Sequence, residues 1–166
     1  VAWPDVAGIF ATKTKVHLEN LIVKSNDGGG IAINWSPTNT LKNIVVTKNI
    51  EGGVFLNNSG ALMSNILISE NRSTHVDGAG LNIGSCYDDS GTTPFKFYDV
   101  ELFNVTIANN IMDMADGYNG HDWANGIKID NCDFKIINSI IWNNDDKEIL
   151  TGISLNFLET PSYEIT

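Results

Sequence analysis

The side chains that could do chemistry are concentrated between Arg72 and Asp133. Lys128 is a candidate general base, and Arg72, the only arginine in the chain, is a candidate partner for a substrate carboxylate. Together they would suit removal of a proton beside a carboxylate, a step that also calls for a metal or a basic cluster. His75 and His121 are further acid–base candidates, because imidazole changes charge near neutral pH. The run Asp113-x-x-Asp116-Gly-x-Asn119-Gly-x-Asp122 is acidic, glycine-hinged and rich in oxygen. Asp113, Asp116 and Asp122 are therefore candidate Ca²⁺ ligands, although the spacing is not that of an EF-hand and acidic loops are usually just solvated. Tyr118 and Trp123 offer flat faces that would stack on a sugar ring or pin their loop to the body of the protein. No cofactor is required by any motif, and Ca²⁺ is the one candidate.

Charge narrows the partners. The 166 residues carry a formal net charge of −10. With no basic patch to release counterions, neither nucleic acid nor an anionic membrane surface is an expected partner. Direct binding of a polyanionic sugar is also disfavoured unless a cation bridges the two. No apolar run is long enough to span a bilayer, so no membrane insertion is expected. Val1 stands where an initiator methionine would, and no signal peptide is present, so the chain reads as a processed or excised segment. Cys86 and Cys132 lack metal-ligand spacing.

Something must position those residues, and the sequence repeats itself to do so. Glycine followed by alternating apolar residues begins at Gly8, Gly30, Gly53, Gly80, Gly126 and Gly152, at intervals of 22, 23, 27, 46 and 26 residues. A second phrase follows the first five: Asn20…Asn26, Asn43…Asn49, Asn65…Asn71, Asn104…Asn110 and Asn138…Asn144, each pair flanking an apolar run. The long fourth interval keeps both phrases and carries loop insertions at about 85–98 and 111–125. Period-two alternation of Ile, Val, Leu and Thr predicts strands, and helical periodicity is absent. Short strands repeating every two dozen residues fit an all-β, parallel β-solenoid whose coils stack about 4.8 Å apart. Ile9, Ile31, Val54, Leu81, Ile127 and Ile153 are expected to stack inside. The asparagines are expected to turn the chain between strands and to bond coil to coil through their amides. The whole of 1–166 forms one domain of about six coils on this reading. Its ending, Leu155 to Thr166, is expected to lead into further coils of a longer solenoid.

The phrases Gly-Ile-Ala-Ile, Leu-Lys-Asn-Ile-Val-Val-Thr-Lys-Asn and Asn-Ser-Ile-Ile-Trp-Asn-Asn resemble repeats of right-handed parallel β-helix proteins. Such repeats occur in the pectate-lyase-like superfamily and in secreted or surface-anchored bacterial proteins. The resemblance covers about Gly8 to Leu158, and it implies a fold more than an activity. It also implies that the outward row two residues after each glycine, Phe10, Ala32, Phe55, Asn82, Lys128 and Ser154, floors a substrate groove. Asn82, Lys128, Phe55, Tyr118 and Trp123 are then the substrate-binding candidates. Gly78-Ala79-Gly80 and Ile127-Lys128-Ile129-Asp130 are similar to polygalacturonase motifs. However, Ala79 stands at the histidine position, Asp130 at the lysine position and Glu51-Gly52 where paired aspartates belong. Inverting hydrolysis needs two carboxylates roughly 6.5–9.5 Å apart, and no outward residue on the six glycine-led strands supplies such a pair. Cys86 and Cys132 each lie six residues after a glycine, in neighbouring coils, as either a disulfide or two buried thiols.

The expected function is a secreted or cell-surface carbohydrate-binding or carbohydrate-processing domain, acting on a polysaccharide or cell-surface glycan. A non-catalytic adhesin or stalk module is the first alternative, and a Ca²⁺-dependent uronate lyase the second.

Overall fold

A computed structural model of the chain describes residues 7–74, 78–86, 98–113, 125–130, 132–144, 155–156 and 163–166. The chain first alternates short and long strands: β1 (Ala7–Thr12), β2 (His17–Lys24), β3 (Gly29–Asn34), β4 (Asn39–Thr47), β5 (Val54–Asn57) and β6 (Ala61–Ser69). It continues through β7 (Arg72–Ser73), β8 (Leu81–Gly84), β9 (Asp99–Ala108), β10 (Ile111–Met112) and β11 (Ile127–Asp130). It ends with β12 (Asp133–Ile137), β13 (Ile140–Trp142), β14 (Leu155–Asn156) and β15 (Tyr163–Ile165). Among the described residues there is no helix.

Among the described residues all strand pairs are parallel, and each strand pairs with its counterpart in the next repeat rather than with its neighbour in sequence. The glycine-led strands form one sheet in the order β1-β3-β5-β8-β11-β14. The longer strands form a second, β15-β12-β9-β6-β4-β2, with β13 also on β9. A third, two-stranded sheet joins β7 to β10. This is an all-β fold of parallel sheets, consistent with a parallel β-solenoid. Register places Ile9, Ile31, Val54, Leu81 and Ile127 in one row, as the repeat predicts. From Ile31 to Ile127 that row has no exposed surface. Leu41, Met63, Leu102 and Ile136 face it from the second sheet, so the core is a continuous column of stacked aliphatic side chains.

Two asparagine ladders run along this column, in opposite directions. In the inner one, Asn26 donates to Asn49, Asn49 to Asn71, Asn71 to Asn110 and Asn110 to Asn144, over 2.8–3.0 Å. Each of these acceptor oxygens also takes the backbone N–H of the preceding asparagine in the ladder. The ladder satisfies its own polar groups and costs the core nothing in unpaired amides. In the outer, exposed ladder Asn43 donates to Asn20, Asn65 to Asn43, Asn104 to Asn65 and Asn138 to Asn104.

The turns differ from the expectation. Only the first asparagine of each phrase bends the chain: Asn20, Asn43, Asn65, Asn104 and Asn138 have φ of 49–57°. Four of those bends lie inside a continuous strand, β2, β4, β6 or β9. The second asparagine is a buried bridge. The corner there belongs to the residue before it: Ser25, Lys48, Glu70, Asn109 or Asn143, all at positive φ. A third corner falls five residues after the repeat glycine, at Lys13, Trp35, Asn58 and Ser85. One left-handed residue per corner suffices, and asparagine tolerates that conformation better than most.

The repeat glycine has a steric reason. A Cβ on Gly53 would lie 2.5 Å from the Gly80 carbonyl oxygen, 2.7 Å from Ile68 Cγ2 and 3.0 Å from Asn71 Nδ2. The glycine phrase and the asparagine phrase recur together because the ladder amide occupies the space where that side chain would be. Gly53→Ala is therefore expected to destabilise the protein by about 1–3 kcal/mol, read as a lowered thermal midpoint. An unchanged midpoint would remove this explanation of the glycine period.

Cys86 and Cys132 form a disulfide, with Cα atoms 4.8 Å apart. Of the two states open from sequence, the bonded one is found. Both sulfurs are fully buried. Their row begins with Thr14, Ser36 and Ser59, also six residues after a glycine. There the Ser36 N–H donates to Ser59 Oγ, and Ser36 Oγ donates to the Thr14 carbonyl. The covalent rung thus replaces hydroxyl rungs, next to the coil that carries the long insertions.

Candidate functional site

The outward row on the glycine-led sheet is in the predicted register: Phe10, Ala32, Phe55, Asn82 and Lys128 are partners. It is not an open floor, however. Phe55 has no exposed surface, Ala32 is 3% exposed and Asn82 5%. The segments leading into β5 and β8 curl back over it. A Cβ on Gly52 would meet the Phe55 ring at 2.5 Å, and one on Gly78 would meet Asn82 Cα at 3.0 Å. Both glycines have positive φ, 95° and 70°, which the curl requires. Phe55 packs with Ala32 and Ala7 as a small second core. Ser154 lies outside the described residues.

Accessible polarity shifts to the next outward row, four residues after each glycine. Thr12, Asn34, Asn57, Gly84 and Asp130 are register partners there. Thr12 is exposed and the others are partly so. Asn34 Oδ1 is buried and accepts no hydrogen bond from the protein. At the far end of this face, Lys128 Nζ lies 3.2 Å from Asp130 Oδ2, with both side chains about one-fifth exposed (19% and 20%). Amides, a hydroxyl and a shielded ion pair line a face whose rungs are about 4.8 Å apart.

Beside it, β7 and β10 bring Arg72 and Asp113 together as an ion pair. The Asp113 carboxylate, a calcium candidate, is thus engaged by a guanidinium. Thr74 donates to Glu51 at 3.0 Å on the same side. Among the described residues, no group of three or more His, Cys, Asp or Glu side chains is placed to hold a metal ion. His75, His121, Tyr118, Trp123, Asp116 and Asp122 lie outside the described residues, as do 87–97 and 114–124 of the two insertions. Of the sequence candidates, then, Arg72 is set against Asp113, and Asn82 and Lys128 are axial neighbours.

Comparisons with protein-family models, with curated proteins and with solved structures found no match.

Three features escaped the sequence reasoning. The row containing Asn34 and Asn57 recurs four residues after each glycine, with the same period as the row before it. The serine rungs at Ser36 and Ser59 share the cysteine offset. The covering turns were signalled by the extra glycines in Asp27-Gly28-Gly29-Gly30 and Glu51-Gly52-Gly53.

Proposed function

We propose that the chain is an extracellular carbohydrate-binding or carbohydrate-processing domain, built as a right-handed parallel β-helix of about six coils in the pectate-lyase-like manner. The six-strand order of the glycine-led sheet supports the coil count. Right-handedness follows the rule that parallel β–crossover–β connections take that hand in about 98% of cases. A disulfide in place of a hydroxyl rung favours a secreted or surface location, since such bonds persist in oxidising compartments.

The observation that carries the binding reading is the partly exposed row Asn34, Asn57 and Asp130, with Lys128 beside it. Sugars present hydroxyls that both donate and accept, and amide side chains match both needs on a rigid, regularly spaced floor. The expected result is saturable binding to at least one polysaccharide on a glycan array, weakened at least about tenfold by Lys128→Ala with the fold intact. Array silence with normal folding would overturn it.

One observation favours the alternative of a non-catalytic adhesin or stalk module. Lys128 and Arg72, the basic groups described near the site, are each engaged by a carboxylate. An ammonium so engaged is poorly placed to abstract a proton, so binding without catalysis is the better-supported half of the proposal. The uronate-lyase reading, with Ca²⁺ held by the acidic loop, predicts product at the unsaturated-uronate absorbance only when Ca²⁺ is added.

A further inference from the structure

A groove of about 400 Å³ opens on the second sheet, where the short strands hand over to the long ones. Its charged residues are Lys15, Asp99 and Glu101. Among the described residues none of these three forms an ion pair, whereas on the same sheet Glu19 meets Lys42 at 2.9 Å. That contact, a hydrogen bond and charge from Lys42, holds the Glu19 carboxyl below its ordinary range. The contrast marks the groove: its charges face an opening instead of one another.

Their order along the axis is fixed by register. His17, Thr40, Leu62 and Glu101 are successive partners, so Lys15 belongs to the first of these rungs and Asp99 and Glu101 to the fourth. Three strand spacings separate the two ends, about 14 Å. Between them the lining is apolar or hydroxylic apart from the buried Asn39 amide, with Leu62 41% exposed beside Pro37 and Thr40. The floor is rigid. Buried Asn39 donates to the Ser36 and Gly60 carbonyls and accepts from the Val16 N–H, so the groove persists without an occupant.

We infer that this groove binds a short extended peptide, with its ammonium at Asp99 and Glu101, an apolar side chain over Leu62 and a carboxylate at Lys15. At about 3.3 Å per extended residue, such a span takes roughly four residues. Two unpaired carboxylates select a cation at one end, a lysine selects an anion at the other, and the apolar centre disfavours a fully hydroxylated chain. The strongly acidic whole of the protein adds a field that draws the cationic end in. This site lies on a different sheet from the carbohydrate face, and its test is independent of that proposal.

The experiment is an amide-shift NMR titration with the tetrapeptide Ala-Leu-Leu-Ala, whose charges are its terminal ammonium and terminal carboxylate alone. Its N-acetylated form, its C-amidated form and a glucosamine oligomer serve as separate arms. Expected are saturable shifts confined to the segments around Thr40, Leu62 and Glu101. Affinity should fall at least about tenfold for the D99N/E101Q protein and for the acetylated peptide. K15Q should weaken binding of the free-carboxylate peptide and leave the amidated one unchanged. The wild-type shift map carries the test by itself if a variant fails to fold. No saturable shift, shifts elsewhere, equal binding of all peptide forms, or tighter binding of the glucosamine oligomer would each overturn the assignment.

Discussion

Asn71→Ala is expected to cost about 3 kcal/mol of stability, which for a chain of this length lowers the thermal midpoint by roughly 9 °C. Asn71 is 1% exposed and stands at the centre of the inner ladder. Its Oδ1 accepts both the backbone N–H and the side-chain amide of Asn49, at 3.1 and 2.8 Å. Its Nδ2 donates to Asn110 Oδ1 and to the Val46 carbonyl. Truncation leaves the Asn49 backbone donor buried without a partner, and a stranded buried donor alone costs about 1–3 kcal/mol. Asn65→Ala is the control. Asn65 makes the same kind of coil-to-coil bond in the outer ladder, but in water's reach. Its cost should stay near 1 kcal/mol, mostly from placing alanine at φ of 53°. Equal losses in the two variants, read by denaturant melts, would show that burial does not govern the ladder.

Removal of the Cys86–Cys132 disulfide should have a comparable or larger effect. The bond closes a loop of 46 residues that spans both long insertions. Loop-closure entropy for that length is worth about 4 kcal/mol, or roughly 12 °C in thermal midpoint. C86S/C132S is the informative variant, because serine already occupies this row at Ser36 and Ser59. It should fold and melt low, and reductant should no longer change its midpoint. If the wild-type midpoint is indifferent to reductant, the bond does not contribute as argued.

Much of the fold was legible because each repeat contains two residues with little steric or polar freedom. Glycine recurs where the ladder amide leaves no room for a Cβ, and asparagine recurs where a bend or an internal bridge is needed. Ile, Val and Leu between them then settle which face is inside, and strand periodicity fixes the register. The site was less legible. The position two residues after glycine points outward in any strand, but whether it meets solvent depends on the turn before it. At Phe55 and Asn82 those turns, through Gly52 and Gly78, close over the side chain. Strand alternation carries no information about such a cover. Likewise, Lys15 converges with Asp99 and Glu101 only through coil stacking, because the sequence separates them by more than eighty residues.

The central claim, that the row containing Asn34 and Asn57 with Lys128 beside it is the glycan-binding face, is tested most directly by an amide-shift titration of the wild-type protein. The ligand is the best-binding polysaccharide fragment from the array. The prediction is saturable shifts in Asn34, Asn57, Lys128 and Asp130, with the inner-ladder asparagines unmoved. Shifts confined to another face, or none with any glycan, would contradict it.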